Sequence, residues 1–545
     1  FFDEFDMLLL ITVILGYSRT RRRSESLRAD KLLVTAIGLL ALSFLVSTLI
    51  GLFPWPAIDA NILAHYYSPL NPVRLAKGAL WAFLLYGLFG RFLSAGHNVA
   101  RLFALGMAGG VTGTVLAIFW ERFVFPGLWN FSDTYRVTGP FSQMHTCGAH
   151  IETYLTLGAP FLVMLLIDKR PVWARILGVL ALFGATYGVM VTFSRVGYAG
   201  YGVALALALV ATTATASGHP LKRGTLAMVL LLAVLGIATP IYFSQFAQER
   251  MTLVGADLEA RRDHWRDALK MRDPGWVTTV FGMGIGRYPA THFWRSDETK
   301  AGPYWLGSDA DNTFLRLGAG SPLYVEQLVS VRPGNDYTVE MKGRSAKRDS
   351  QVTVSICEKW LLTSANCGSA SYSFSGDGNW QTVKIRISSG DVGQAPWYAP
   401  RPTKFSITNT SPTATVDIDD IRLNSDVGQD LVANGDFSKK LDHWFFSVDN
   451  DLPWHIWSLP LQILFDQGWL GVIAFGLFVV PGLWRAGRQA WRGNVAAGVL
   501  LASGAGFVVI GTLDSLVDSP RLLLLFLLVI WMCWRCARLS LPTRD

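Results

Sequence analysis

KLLVTAIGLLALSFLVSTLIGLF, from Lys31 to Phe53, decides the class of the fold. Past its opening lysine the run carries no charge, and a helix of about twenty apolar residues is what crosses the ~30 Å hydrocarbon core of a bilayer. Comparable runs recur at 3–17, 78–93, 99–120, 150–167, 173–193, 197–216, 224–243, 458–482, 495–516 and 520–536. The 545 residues are 51% hydrophobic and only 16% charged, too apolar for a soluble chain of this length. The reading is a polytopic α-helical membrane protein with about eleven to twelve transmembrane helices. The sequence opens on Phe1, which leaves room for a preceding residue or short leader, and no cleavable signal peptide is read at its start.

Formal charge is +8, which in a soluble protein would suggest nucleic acid. Here the basic residues fall in every second short loop, so they report orientation and no nucleic-acid partner is expected. Arg19, Arg21, Arg22, Arg23 and Arg28 follow the first span; Arg91 and Arg101, then Lys169, Arg170 and Arg175, occupy alternate later loops. Lys222 and Arg223, then Arg485, Arg488 and Arg492, then Arg535, Arg538 and Arg544 continue the alternation. By the positive-inside rule these loops are cytoplasmic, and 54–77, 121–149, 244–457 and 514–519 lie outside. The expected location is a bacterial inner membrane, with the large loop in the periplasm.

Domains are read as N-terminal transmembrane helices at 1–246, a helical and Gly-rich periplasmic segment at 247–312, a β-sandwich at 313–450 and C-terminal transmembrane helices at 451–545. In the second of these, Glu259 to Met271 has helix spacing, followed by Gly282, Gly284 and Gly286. In the third, Leu323 to Val331, Tyr337 to Lys342, Val352 to Cys357, Thr382 to Ile387, Lys404 to Thr408 and Thr415 to Leu423 are short, β-branched and alternating. Turn residues between them favour an all-β jelly-roll sandwich. Cys357 and Cys367 fall in this insert, where a disulfide persists. Cys533 and Cys536 form a lone CxxC without the further ligands a zinc site needs; Cys147 has no assigned role.

Four places resist explanation as membrane packing. Arg195, in TFSRVGY from Thr192, sits at the outer end of a span, either snorkelling to the interface or binding an anion. The positive-inside rule disfavours arginine on that side, and its donor fork suits phosphate oxygens. Arg261, Arg262, His264, Trp265, Arg266, Lys270 and Arg272 form either a solvated helix face or a surface for a phosphorylated headgroup, with Arg261 the leading candidate. FGMGIGRYP, Phe281 to Pro289, lacks the context of a nucleotide loop and reads as a tight turn presenting Arg287. In DNDLPWHIWSLPLQILFDQGWLG, from Asp449, Pro460 belongs in a first helical turn, so Ser458 is the expected N-cap. His455 then lies at the outer boundary, either packed between Trp454 and Trp457 or, as a neutral imidazole, able to take a proton from a sugar hydroxyl.

Two resemblances follow from these residues. VRPGNDYTVEMKGR, DIDDIRL and LVANGDFSKKLDHWFF resemble the jelly-roll carbohydrate-binding modules of extracellular enzymes over about a quarter of the chain, which implies a glycan partner for the sandwich. YRVTGPF from Tyr135, TFSRVGY, ARRDHWRDALKM from Ala260 with FGMGIGRYP, and WHIWSLPLQILFDQGWLG from Trp454 resemble, in order, the O-antigen ligase and polymerase superfamily of bacterial membrane glycosyltransferases. That resemblance implies a metal-independent inverting enzyme without cofactor, which joins undecaprenyl-diphosphate-linked oligosaccharides during lipopolysaccharide or exopolysaccharide assembly. It further implies that Arg195 and Arg261 bind the donor diphosphate and that His455 is the catalytic base; Arg287, presented by the glycine turn, is counted with the diphosphate-binding residues. The family places its histidine five residues before a glutamine; here Trp457 holds that spacing from Gln462, and His455 is two residues earlier. A polysaccharide-precursor transporter or flippase, or a non-catalytic member of the superfamily, are the alternatives.

Overall fold

The computed structural model describes all residues except 1, 20–29, 56–57, 63–66, 142–148, 168–170, 216–219, 299, 301, 311, 361–362, 427, 449–453 and 540–545. Arg21, Arg22, Arg23, Arg28, Cys147, Lys169, Arg170 and Arg544 therefore lie outside the described residues.

Each of the eleven apolar runs forms a helix. They are α1 (Glu4–Arg19), α2 (Lys31–Leu52), α3 (Asn71–Ser94), α4 (Val99–Val124), α5 (Ala149–Ile167), α6 (Val172–Met190), α7 (Arg195–Thr215) and α8 (Pro220–Tyr242) before the insert. After it come α13 (Leu459–Trp491), α14 (Val495–Gly511) and α15 (Pro520–Arg535). Among the described residues, six of these helices (α2, α3, α4, α6, α13, and α15 together with the 3-10 turn that carries it to Arg538) are long and apolar enough to cross a membrane. A seventh span results if Leu231–Tyr242 and Gln245–Thr252, bent by 79°, count as one. Leu102, Leu105, Leu116 and Phe119 on α4, and Val172, Trp173, Ile176, Leu177 and Leu180 on α6, point out of the bundle. Such a surface suits hydrocarbon better than water and marks a membrane protein.

Asp30 caps α2, Asn98 caps α4 and Asn494 caps α14, each accepting from a backbone N–H of the first turn. Small residues let α7 and α14 touch closely: a Cβ on Gly200 would lie 2.9 Å from the Gly506 carbonyl. The loops expected on one side do meet at one end of the bundle. Asn61 bonds Leu306 through both its amide groups, Trp360 packs on Tyr135, and Arg261 bonds the Leu513 carbonyl. Asp30 with Arg485, and Asn494 with the Cys536 carbonyl, join the basic loops at the other end.

The insert opens with α9 (Gln245–Thr252), α10 (Val254–Lys270), α11 (Trp276–Phe281) and α12 (Tyr288–Arg295). Ten strands follow: β1 (Tyr304–Asp309), β2 (Asn312–Leu317), β3 (Leu323–Leu328), β4 (Asp336–Arg344), β5 (Gln351–Trp360), β6 (Thr363–Ser373), β7 (Gln381–Ser388), β8 (Thr403–Asn409), β9 (Val416–Ser425) and β10 (Phe445–Val448). They form two antiparallel five-stranded sheets, in the orders β1-β2-β9-β4-β7 and β10-β3-β8-β5-β6. The sheets begin at Tyr304, so the sandwich starts before the expected boundary at 313. Alternation sets the register: Tyr337, Val339 and Met341 of β4 face inward beside Ile387, Ile385 and Val383 of β7. Cys357 of β5 and Cys367 of β6 form the expected disulfide, and Cys533 and Cys536 are free and buried.

Within the sandwich, Lys404 of β8 forms a buried ion pair with Glu326 of β3. Lys404→Met leaves that carboxylate buried without its ammonium partner. The substitution is expected to cost about 3–5 kcal/mol in thermal melting, and Lys404→Met with Glu326→Leu to recover most of it. Equal melting of the single and double variants would contradict this.

Candidate functional site

Four segments bring the site together at the end of the bundle that carries the insert. The first is the turn before α7, where Arg195 is the opening residue. Its guanidinium donates to the Arg250 carbonyl (2.7 Å) and to Asp257, near the start of α10. Arg136, Arg250 and Arg261 stand close enough to act on Arg195 electrostatically, so four guanidinium groups share this corner. Arg136 donates Nε to the Thr192 carbonyl at 2.7 Å, which holds YRVTGPF against TFSRVGY.

The second segment is α10, which has one solvated face and one buried face. Arg262, Arg266 and Lys270 are exposed, whereas His264 and Ala268 are buried. Arg261, one turn past Asp257, donates to the Leu513 carbonyl and lies over the Trp457 ring at 5.5 Å.

The third segment, the turn between α14 and α15, supplies Asp514 and Asp518. His455 comes from the fourth, the loop before α13. Its Nδ1 is 2.8 Å from Asp518 Oδ2 and its Nε2 is 3.4 Å from Asp514 Oδ1. His150 Nε2, at the start of α5, lies 3.7 Å from the other Asp518 oxygen. Burial works against a charged ring, but the Asp518 and Asp514 carboxylates outweigh it and hold the His455 pKa well above its ordinary value. Burial alone would raise Asp518 too, yet His455 and His150 hold it far below the usual carboxylate range. The carboxylates therefore favour the charged ring over the neutral imidazole expected from the sequence, and a base role falls to the fraction that has lost its Nε2 proton.

The His455 loop is fixed from several sides. Gln462 Oε1 accepts from the Ile456 N–H at 2.7 Å, Trp265 Nε1 donates to the Trp457 carbonyl at 3.0 Å, and His264 stacks on Trp457 at 4.3 Å. Ser458 is the N-cap residue, as expected from Pro460, but its side chain makes no cap hydrogen bond.

α13 is broken at Gly468 (φ 62°, ψ −162°), and the Gly-rich turn fills the break. Met283 N–H donates to the Phe465 carbonyl (2.7 Å) and Gly284 N–H to the Asp466 carbonyl (3.0 Å), so backbone acceptors released by the break find new donors. Ser43 bonds Gln467 and Ser47 bonds the Asp466 carbonyl from α2, both at 2.7 Å. FGMGIGRYP is thus a wedge that closes a discontinuous helix.

Of the four residues expected to bind donor or acceptor, Arg195, Arg261 and His455 fall in one connected shell through Asp257, Leu513 and Asp514. Arg287 does not join them: it donates to the Phe53 carbonyl beyond α2, and the charge that acts on it is Asp273. The sequence reading passed over Arg136, His150, Arg250, Asp514 and Asp518. The only hints were YRVTGPF and the assignment of 514–519 to the outer side.

No family model matches the chain, and no curated protein matches it. Its sandwich is similar to a solved structure described as "CBM4 structure and function", 12% identical, covering 24% of this chain and 81% of that one, with a TM-score of 0.18. A second, "PbXyn10C CBM APO", is 17% identical and covers 29% of this chain and 92% of that one, with a TM-score of 0.17. At those scores the sandwich assignment rests on the two sheets themselves.

Proposed function

We propose that the protein is a membrane glycosyltransferase of the O-antigen ligase and polymerase type, joining undecaprenyl-diphosphate-linked oligosaccharides at the periplasmic face of a bacterial inner membrane. The observation that carries the reading is the meeting of Arg195 and Arg261 with a carboxylate-held His455 at the end of the helical bundle that bears the insert. The guanidinium cluster suits a diphosphate, which would take the place of Asp257 on Arg195. In its neutral form, with Nδ1–H held by Asp518 and Nε2 free of its proton, His455 takes the acceptor hydroxyl's proton at Nε2 as the hydroxyl oxygen bonds the anomeric carbon. The bond from that carbon to the diphosphate breaks on the opposite face, with inversion, and the arginines neutralise the charge that develops. A glycan held by the sandwich is part of the same reading.

One observation favours a transporter: the break in α13 with Gln462, Asp466 and Gln467 buried around it, as in discontinuous transport helices. The deciding experiment follows surface-glycan length in cells carrying wild type, Arg195→Ala, Arg261→Ala or His455→Ala, all checked for membrane insertion. Loss of long chains is expected in all three, and unchanged length would sink the assignment. Purified protein in detergent, given lipid-linked oligosaccharide, separates the readings: only a transferase lengthens glycan without a membrane.

A further inference from the structure

His264 on α10, His292 on α12 and Glu298 just beyond it converge beneath the His455 loop, with their ligand-type atoms all within 4.8 Å of one another. His264 Nδ1 is 3.0 Å and His292 Nε2 is 3.2 Å from the same Glu298 oxygen. We propose that these three side chains form a transition-metal site, with zinc the fitting ion. The proposal does not depend on the glycosyl-transfer reading.

Four features carry it. Zinc bonds of about 2.0–2.1 Å in tetrahedral geometry set ligand atoms about 3.3 Å apart, close to both histidine–glutamate distances. Two imidazoles with one carboxylate are a donor set for zinc and its neighbours in the transition series, whereas magnesium and calcium take oxygen ligands. Both rings are buried, His264 at 1% and His292 at 0% exposure, so their positions are fixed before any ion arrives. The nitrogen of His264 that would not bind metal, Nε2, already faces the His455 carbonyl at 3.4 Å and the Tyr288 hydroxyl at 3.1 Å, the outer-shell arrangement that orients a ligating imidazole.

Glu298 also lines a cavity of about 840 Å³ with Phe293, Trp294, Lys300, Trp305 and Arg316, between α12 and the first sheet. Three protein ligands therefore leave a coordination position that a water or a sugar hydroxyl in this cavity could take. Because His264 also stacks on Trp457, loading the site would brace the loop that carries His455.

The test uses untagged full-length protein in detergent, carrying Cys533→Ser and Cys536→Ser to remove the CxxC, stripped with EDTA and titrated with zinc chloride. One zinc per chain is expected, bound with a Kd below about 1 μM and raising the melting temperature. His292→Ala and Glu298→Gln are expected to weaken binding at least about 100-fold, whereas His455→Ala retains it. Glu298→Gln keeps an oxygen acceptor for both imidazoles, so without zinc it is expected to melt with its parent. Absence of zinc at that affinity, or equal binding by the parent and Glu298→Gln, overturns the proposal.

Discussion

Asp518→Asn is expected, if the protein is the glycosyltransferase proposed above, to slow glycan elongation by about 10²–10⁴-fold in an assay with purified protein and lipid-linked oligosaccharide. The Asp518 carboxylate accepts from Nδ1 of His455, which fixes the ring and leaves Nε2 as the nitrogen that exchanges a proton. An amide in its place presents a donor as readily as an acceptor, and the ring loses its fixed tautomer. The pH profile separates this from a general loss of structure. His455 has a raised pKa, so the wild-type base form grows as pH climbs above the ordinary value of 6.5, and elongation should rise with it. Removing the Asp518 charge lowers that pKa, so the rise moves to lower pH while its ceiling falls. Asp514→Asn is expected to move the rise in the same direction with a smaller loss of ceiling, because the Nδ1 partner stays. A wild-type profile that does not rise with pH would remove His455 from the base role.

The same pair makes stability depend on pH in a defined window. A raised histidine pKa contributes fully below 6.5 and is lost as pH climbs through the folded value; the lowered Asp518 contributes above 3.8 and is lost as pH falls through its folded value. His455 and Asp518 thus support the fold together between those limits, across the range in which the ring is charged and the carboxylate ionised.

How much of this was legible before the structure depended on whether a residue belonged to a repeating pattern. Lys31–Leu52 declares itself by an unbroken apolar run, and β4 and β7 by alternation, since burial on one face imposes a period that survives in a single sequence. β6 was passed over because TSANCGSASYS is polar on both faces and nowhere fully buried, so no period marks it. Arg195 stood out as a charge on the wrong side of the membrane. Asp514, Asp518 and His150 carried little signal: each is a single polar residue in a short turn or a first helical turn, and their importance arises only when two distant segments fold against the His455 loop. Arg287 shows the converse, since a glycine turn that looked made to present an arginine instead serves α13 through its backbone.

That wedge leads to the largest expected loss of stability. Gly282 has φ 80° and ψ −171°, a region open to glycine and almost no other residue. A Cβ there would lie 2.4 Å from the backbone carbon and oxygen of Asp466 and 2.5 Å from the Gln467 nitrogen, none of which can rotate away. Gly468 meets the same constraint from the other side, its Cβ falling 2.5 Å from the Val280 carbonyl. Gly282→Ala should therefore combine backbone strain of about 1–3 kcal/mol with an overlap relieved only by moving the wedge away from the break. Moving it strips the wedge donor from the Phe465 carbonyl, about 1–3 kcal/mol when left unpaired in a buried site, while the Asp466 carbonyl loses the Gly284 N–H and keeps only the Ser47 hydroxyl. Gly275→Ala is the matched control: its φ of 124° is also unfavourable, but a Cβ there meets nothing within 4 Å, so it should bear the strain alone. In detergent, the monodisperse fraction of Gly282→Ala after heating should fall well below that of Gly275→Ala. Elongation by the protein that survives should fall further, because Gln462, on the same half of α13, holds the Ile456 N–H beside His455. Equal melting of the two glycine variants would mean that the wedge and the helix do not touch as closely as their backbones require, and the positioning of His455 through α13 would lose its basis.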